Sequence, residues 1–162
     1  MLSALILVNL GWALQEHGFD YCDDKRLYDG LRHEGAEQVR LHLLADANRG
    51  SLVRFLENHD EPRTASIVDA ARYKALAVSP LTQVGARLVH HGQAGGWRVR
   101  LPVFLGRYPA EPTDDDLAEF YRSLWAVLRD PTFPDGRWRL CERVRWDGKR
   151  PVRGPRRLVL GW

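Results

Sequence analysis

The spacing of apolar positions changes several times along the chain, and each change marks an element. Residues 4–9 form a continuous apolar run, the pattern of a strand buried on both faces. Residues 12–17 suit a short helix that Gly18 would end. Residues 19–22 form a short strand candidate, followed by the polar stretch 23–26. Residues 36–44 read as a helix with Val39, Leu43 and Leu44 on one face. A strand over residues 52–56 runs straight into Glu57-Asn58-His59-Asp60-Glu61-Pro62-Arg63. Residues 65–81 are largely helical, ending near Pro80, and residues 87–90 form another short strand. A glycine-rich stretch over 92–96 and an irregular region with Pro102, Pro109 and Pro112 follow.

Residues 113–128 carry the strongest helical pattern. Thr113 is placed to cap it, three aspartates fill its first turn, and Leu117, Phe120, Tyr121, Leu124 and Leu128 recur at helical spacing. Beyond Pro131 and Pro134 the period drops to two. Trp138, Leu140, Val144 and Trp146 then share one side of a strand, and Arg137, Arg139, Arg143 and Arg145 the other. Residues 158–160 are a second strand candidate there. Strand and helix thus alternate for about 130 residues, which predicts an α/β fold with a parallel sheet and crossover helices. The tail predicts the beginning of an antiparallel sheet.

Composition adds limits. The chain is 44% hydrophobic and 28% charged, which is globular, and its net charge of +3 names no partner. Cys22 and Cys141 lie far apart, outside any Cys/His cluster, so neither a disulfide framework nor a zinc site is expected. No cation precedes the N-terminal apolar run and no small-residue cleavage site follows it, so a buried strand is expected there, not a signal peptide. That run is also too short to span a bilayer. A cytoplasmic protein with no cofactor, no metal and no membrane or nucleic-acid partner is the expectation.

The densest polar cluster, residues 57–61, stands directly after an apolar strand. In (β/α) barrels such strand ends carry the active site; a solvated loop with a helix cap is the competing explanation. Phe55-Leu56-Glu57-Asn58-His59-Asp60 resembles the fourth signature region of the alpha-amylase family of glycoside hydrolases, whose core is Asn-His-Asp at the end of the seventh barrel strand. The resemblance implies that Asp60 stabilises the transition state and that His59, with Asn58 and Arg63, binds the sugar. Residues 18–29 resemble the sixth strand and its loop, and residues 85–93 the eighth, where His91 and Gln93 replace residues usual in the family.

The fold implied is the C-terminal half of a (β/α)8 TIM barrel, units five to eight over residues 1–132, then the start of a C-terminal β-domain over 133–162. The substrate implied is an α-glucan or maltooligosaccharide. A retaining glycosidase needs a nucleophile and an acid/base about 5 Å apart. By the resemblance the nucleophile would lie upstream of Met1, and the acid/base position falls near Leu5, which cannot donate a proton. The expectation is a fragment inactive by itself, prone to self-association through open sheet edges.

Several rival readings stand beside this one. The arginines and tryptophans of residues 137–157 could grip a phosphate backbone and stack on bases, although the strict alternation sets the tryptophans toward a core. A non-catalytic sugar-binding or scaffold remnant is another. Calcium at Asp20, Asp23 and Asp24 and metal at His90-His91 are weaker, because no EF-hand pattern is present and adjacent strand residues point to opposite faces.

Overall fold

The computed structural model describes residues 3–4, 11–45, 49–102, 104, 106–135, 137–141, 144–146, 148–149, 151–153 and 160–161. Leu5 and the rest of the apolar run lie outside the described residues, as does Arg143 of the basic tail. Four strands form one sheet: β1 (Ser3–Ala4), β2 (Tyr21–Asp23), β3 (Leu52–Phe55) and β4 (Ala86–Leu88). They lie side by side in sequence order and every pair is parallel. Cys22 pairs with Leu52, and Phe55 with Leu88. Parallel neighbours need a crossover. Here the connections contain α1 (Gly11–Glu16), then α2 (Lys25–His33) with α3 (Ala36–Ala45), then α4 (Ala70–Leu81). After β4 come α5 (Asp115–Leu128) and the single turn α6 (Thr132–Asp135). This is the predicted α/β alternation, in the predicted order.

The polar stretch after β2 proves to be the start of α2. Asp24 caps it by accepting a hydrogen bond from the Leu27 N–H at 3.0 Å, and Lys25 pairs with Asp29 one turn on. Leu27 and Tyr28 are buried there, and the Tyr28 ring stacks on Phe55 of β3 with centroids 5.3 Å apart. In α3, Val39 and Leu43 are buried four residues apart, whereas Leu44 lies further round the helix and is half exposed. The cap of α5 is Asp114, not Thr113: its carboxylate accepts from the Leu117 N–H at 3.0 Å. Residues 65–81 are not one helix. A 3-10 turn at Thr64–Ser66 comes first, and α4 begins only after its own cap, Asp69.

Two apolar clusters hold the layers together. The larger joins Leu56, just past β3, to Tyr73, Leu76 and Leu81 of α4 and Leu117, Tyr121, Leu124 and Leu128 of α5. The smaller is Leu27, Val39 and Leu43 between α2 and α3, with Trp138 and Leu140 from the tail packed on it. The tail is not the single long strand its alternation suggests. β5 (Arg139–Leu140) pairs antiparallel with β8 (Leu160–Gly161), and β6 (Val144–Trp146) with β7 (Pro151–Arg153). Among the described residues, no helix is long and apolar enough to cross a membrane.

Candidate functional site at the carboxyl end of the sheet

Three loops meet beyond the carboxyl ends of β2, β3 and β4, the edge where parallel α/β sheets carry ligands. The loop after β3 is central. Asn58 is buried, and its side-chain oxygen accepts from the backbone N–H groups of Asp60 at 3.0 Å and Glu61 at 3.1 Å. That Asx-type turn throws His59 and Asp60 outward. Their side chains are 52% and 42% exposed, with His59 Nε2 3.5 Å from Asp60 Oδ1. Glu61 is turned away from them and pairs with Lys25 Nζ at 3.0 Å.

The neighbouring loops converge on this pair. Burial raises the pKa of Asp23, at the end of β2; the charge of His59 opposes the shift and that of Asp60 adds to it. The three groups therefore share one electrostatic environment. From the other side, Arg100 Nε donates to the His59 carbonyl at 3.5 Å. Burial holds His90, just past β4, below the ordinary histidine range, and Arg63, His59 and His91 push it further the same way. Sequence reasoning weighed Asp23 only as a calcium ligand; its position at a strand end beside the Asn-His-Asp loop was the signal for more. Asp24 is not available to a metal, because Arg54 and His42 occupy its carboxylate. No group of three or more metal-binding side chains occurs among the described residues.

Beneath the loop lies a buried ion pair. Arg63 is 1% exposed, and its Nε stands 3.1 Å from Glu57 Oε2, which is equally enclosed. The same guanidinium donates to the His91 carbonyl at 2.8 Å and the Trp97 carbonyl at 3.3 Å. Glu57 also accepts from the Thr64 N–H at 2.8 Å. Arg63 thus clamps the loop after β4 to the loop after β3 from below. It presents no surface to a substrate, and Asn58 likewise works from beneath. Arg63 draws the pKa of Glu57 down, yet the larger effect of burial leaves that carboxyl above its ordinary value.

Gln93 completes the scaffold. It is fully buried; its Nε2 donates to the Tyr121 hydroxyl at 2.8 Å, and its Oε1 accepts from the His90 N–H at 3.2 Å. Tyr121 reaches the Tyr73 hydroxyl at 3.3 Å, and Tyr73 returns a bond to the Gln93 carbonyl at 2.7 Å. The glycine-rich loop is thereby tied to both α4 and α5. Gly92 at φ 78° lies under the Trp97 ring, where a β-carbon would come within 2.3 Å of the indole.

No family model matches the sequence, and no curated protein matches it. Solved structures do match its fold. A noncanonic maltogenic alpha-amylase, AmyB, from Thermotoga neapolitana has a TM-score of 0.63 at 22% identity, over 82% of this chain and 33% of that one. An alpha-amylase from Lactobacillus plantarum has a TM-score of 0.63 at 21% identity, over 89% of this chain and 39% of that one. An alpha-amylase from H.orenii has a TM-score of 0.63 at 15% identity, over 93% of this chain and 42% of that one. The chain has the fold of a segment of these alpha-amylases, and it spans 33–42% of their length.

Proposed function

We propose that this chain is the second half of an alpha-amylase-type catalytic barrel, units five to eight plus the first strands of a β-domain, from a glycosidase of α-1,4-linked glucosides, and that it is inactive by itself. The observation that carries the reading is the position of His59 and Asp60. They project from the end of a strand inside a sequentially ordered parallel sheet, in a fold shared with alpha-amylases. In this reading Asp60 stabilises the positive charge that develops on the sugar ring, and His59 hydrogen-bonds the sugar beside it. Asn58 and Arg63 act as positioning residues: one sets the turn that aims the pair, and the other fixes the loop opposite.

The units described here do not complete the reaction. Retaining hydrolysis needs two carboxyl groups on either side of the scissile bond, about 5 Å apart. Glu57 is buried against Arg63, and Glu61 pairs with Lys25 on the loop that carries Asp60. Neither can approach the opposite face of a substrate held by Asp60. In this reading the nucleophile and the acid/base lie outside these units, and the chain alone does not turn over maltooligosaccharides. Its partners would be the missing barrel units or a second copy, because among the described residues β1 and β4 are each paired on one side only.

Complementation tests this directly. The purified chain is mixed with a polypeptide carrying the first four strand–helix units of a related alpha-amylase, and hydrolysis of a chromogenic maltoside is followed. The chain alone gives no release; the mixture gives release that disappears in Asp60→Asn. Release by the chain alone would overturn the proposed inactivity. A mixture that folds together yet is indifferent to Asp60→Asn would overturn the role of Asp60.

A further inference from the structure

We infer that this chain pairs with a second copy of itself through the open edges of its sheet, β4 of each copy meeting β1 of the other, so that two four-stranded sheets close into one eight-stranded barrel. This rests on the half-barrel part of the reading above and is independent of the sugar chemistry. Burial marks the edge. β3 has a neighbour on each side and buries Leu52, Arg54 and Phe55. Ala86, Arg87 and Leu88 of β4 are only half-buried, and Val89, just beyond, is 37% exposed. Parallel strands are ordinarily covered on both faces. An edge meant to stay solitary is usually guarded by an outward charge or a proline. The one charged residue of β4, Arg87, is instead drawn back, and its Nε donates to the Leu81 carbonyl at 2.7 Å.

The face beside that edge has room for a neighbour. Val89 and Trp97 border an open groove of about 600 Å3 between the end of β4 and α5, and Ala94, Ala118 and Trp125 complete its apolar part. Because α5 follows β4, the groove lies where the next strand of the layer would pack. A strand with apolar side chains suits it. β1 belongs to such a stretch: the sequence there runs Ala4-Leu5-Ile6-Leu7-Val8, apolar throughout.

β1 is also the matching edge. Among the described residues it pairs only with β2, and all four strands run the same way, so its free side offers what the free side of β4 accepts. Within one copy these two edges cannot meet. Barrel diameter grows with strand number, and about eight strands are needed before the interior holds the side chains that point inward. Two copies supply that number. A two-fold axis along the barrel joins both pairs of edges at once, which stops assembly at the dimer. The same axis sets the His59–Asp60 loops of the two copies at one mouth, facing each other.

Sedimentation equilibrium of the full chain over a range of concentrations tests this, with circular dichroism to check folding. The chain should be a dimer. Val89→Lys should weaken association about a hundredfold, because a cation would be enclosed in an apolar groove. Val127→Lys, at a more exposed valine outside the groove, should leave association unchanged. In the unaltered chain, hydrogen exchange at residues 86–89 should quicken on dilution while residues 52–55 stay slow. A folded monomer at every concentration, or growth past the dimer, would overturn the inference. So would a dimer that Val89→Lys leaves intact, or whose exchange at residues 86–89 ignores dilution. A folded monomer that still gives Asp60-dependent release in the complementation assay would sink the dimer and leave the glycosidase reading standing. A dimer that depends on Val89, with no release on complementation, would support the pairing and count against the sugar chemistry.

Discussion

Two buried arginines, Arg54 and Arg63, solve the same physical problem for different ends. Arg54, on β3, is 0% exposed and pairs with Asp24, which also caps α2 and meets His42 of α3 at 2.9 Å. Its Nε donates to the Val84 carbonyl at 3.2 Å. Burial pulls its pKa down to about 10, still far above neutral, so it stays charged. This arginine joins the sheet to two helices. Arg63 sits at the strand end, and what it joins are loops: Glu57 of one, and His91 and Trp97 of another. One network holds the layers of the fold together, whereas the other fixes the spacing of surface groups. Buried charge is costly, so its presence under an exposed site argues that the spacing there matters.

The contrast can be broken at either arginine. Arg54→Met should have the largest effect, because Asp24 would keep a buried charge and lose its main partner, at a cost of about 3–5 kcal/mol. Urea unfolding should show a large drop in midpoint with helix and sheet lost together. A change below about 1 kcal/mol would mean that Asp24 is satisfied by His42 and the helix start alone.

Arg63→Met should cost less, on the order of 1–3 kcal/mol. Glu57 already has a raised pKa and can take up a proton once its partner has gone. The loss should be local: hydrogen exchange at residues 90–97 should accelerate well before the sheet does. Uniform acceleration across the chain would place Arg63 in the same class as Arg54.

The smallest effect is a pH dependence set by His90. Its folded pKa lies below the unfolded value near 6.5, so the unfolded chain binds the proton more readily. The contribution of His90 is fully present above that pH and declines as pH falls through the window beneath it. His90→Gln should flatten the slope of stability against pH between neutral and mildly acid conditions. An unchanged slope would assign the acid sensitivity to other groups.

How far the sequence revealed this arrangement depended on how local each signal was. β3 and the loop after it were legible because an apolar strand ending in a polar burst needs no tertiary information. The helix of residues 115–128 was legible from its period, although its cap moved by one residue, since Thr113 and Asp114 both suit the position. α2 was missed because its cap and first two residues, Asp24, Lys25 and Arg26, extend a polar run that looks like loop. In the tail the antiparallel pairing was legible but the division into strands was not, because alternation over residues 137–146 persists through a change of partner, and period two reports strand faces, not pairing. The enclosure of Arg63 and the role of Gln93 were not legible. Both are polar residues in loops, where exposure is the ordinary expectation, and only the fold shows that they are enclosed.

The hydrogen-bonded circuit of Gln93, Tyr121 and Tyr73 has a spectroscopic consequence. Each phenol sits where a negative charge would be poorly solvated. Tyr121 is pushed up to about 12, chiefly by burial, and Tyr73 is driven higher by burial and by the adjacent phenol. Tyr28, buried elsewhere, is raised as well. Three of the five tyrosines thus resist ionisation while the chain is folded, and each titrates near 10 once it is not. In an alkaline titration their phenolate absorbance should not rise gradually. It should appear in one late step, coincident with loss of the helical circular dichroism signal, so that ultraviolet absorbance alone reads out the opening of the α4–α5 core.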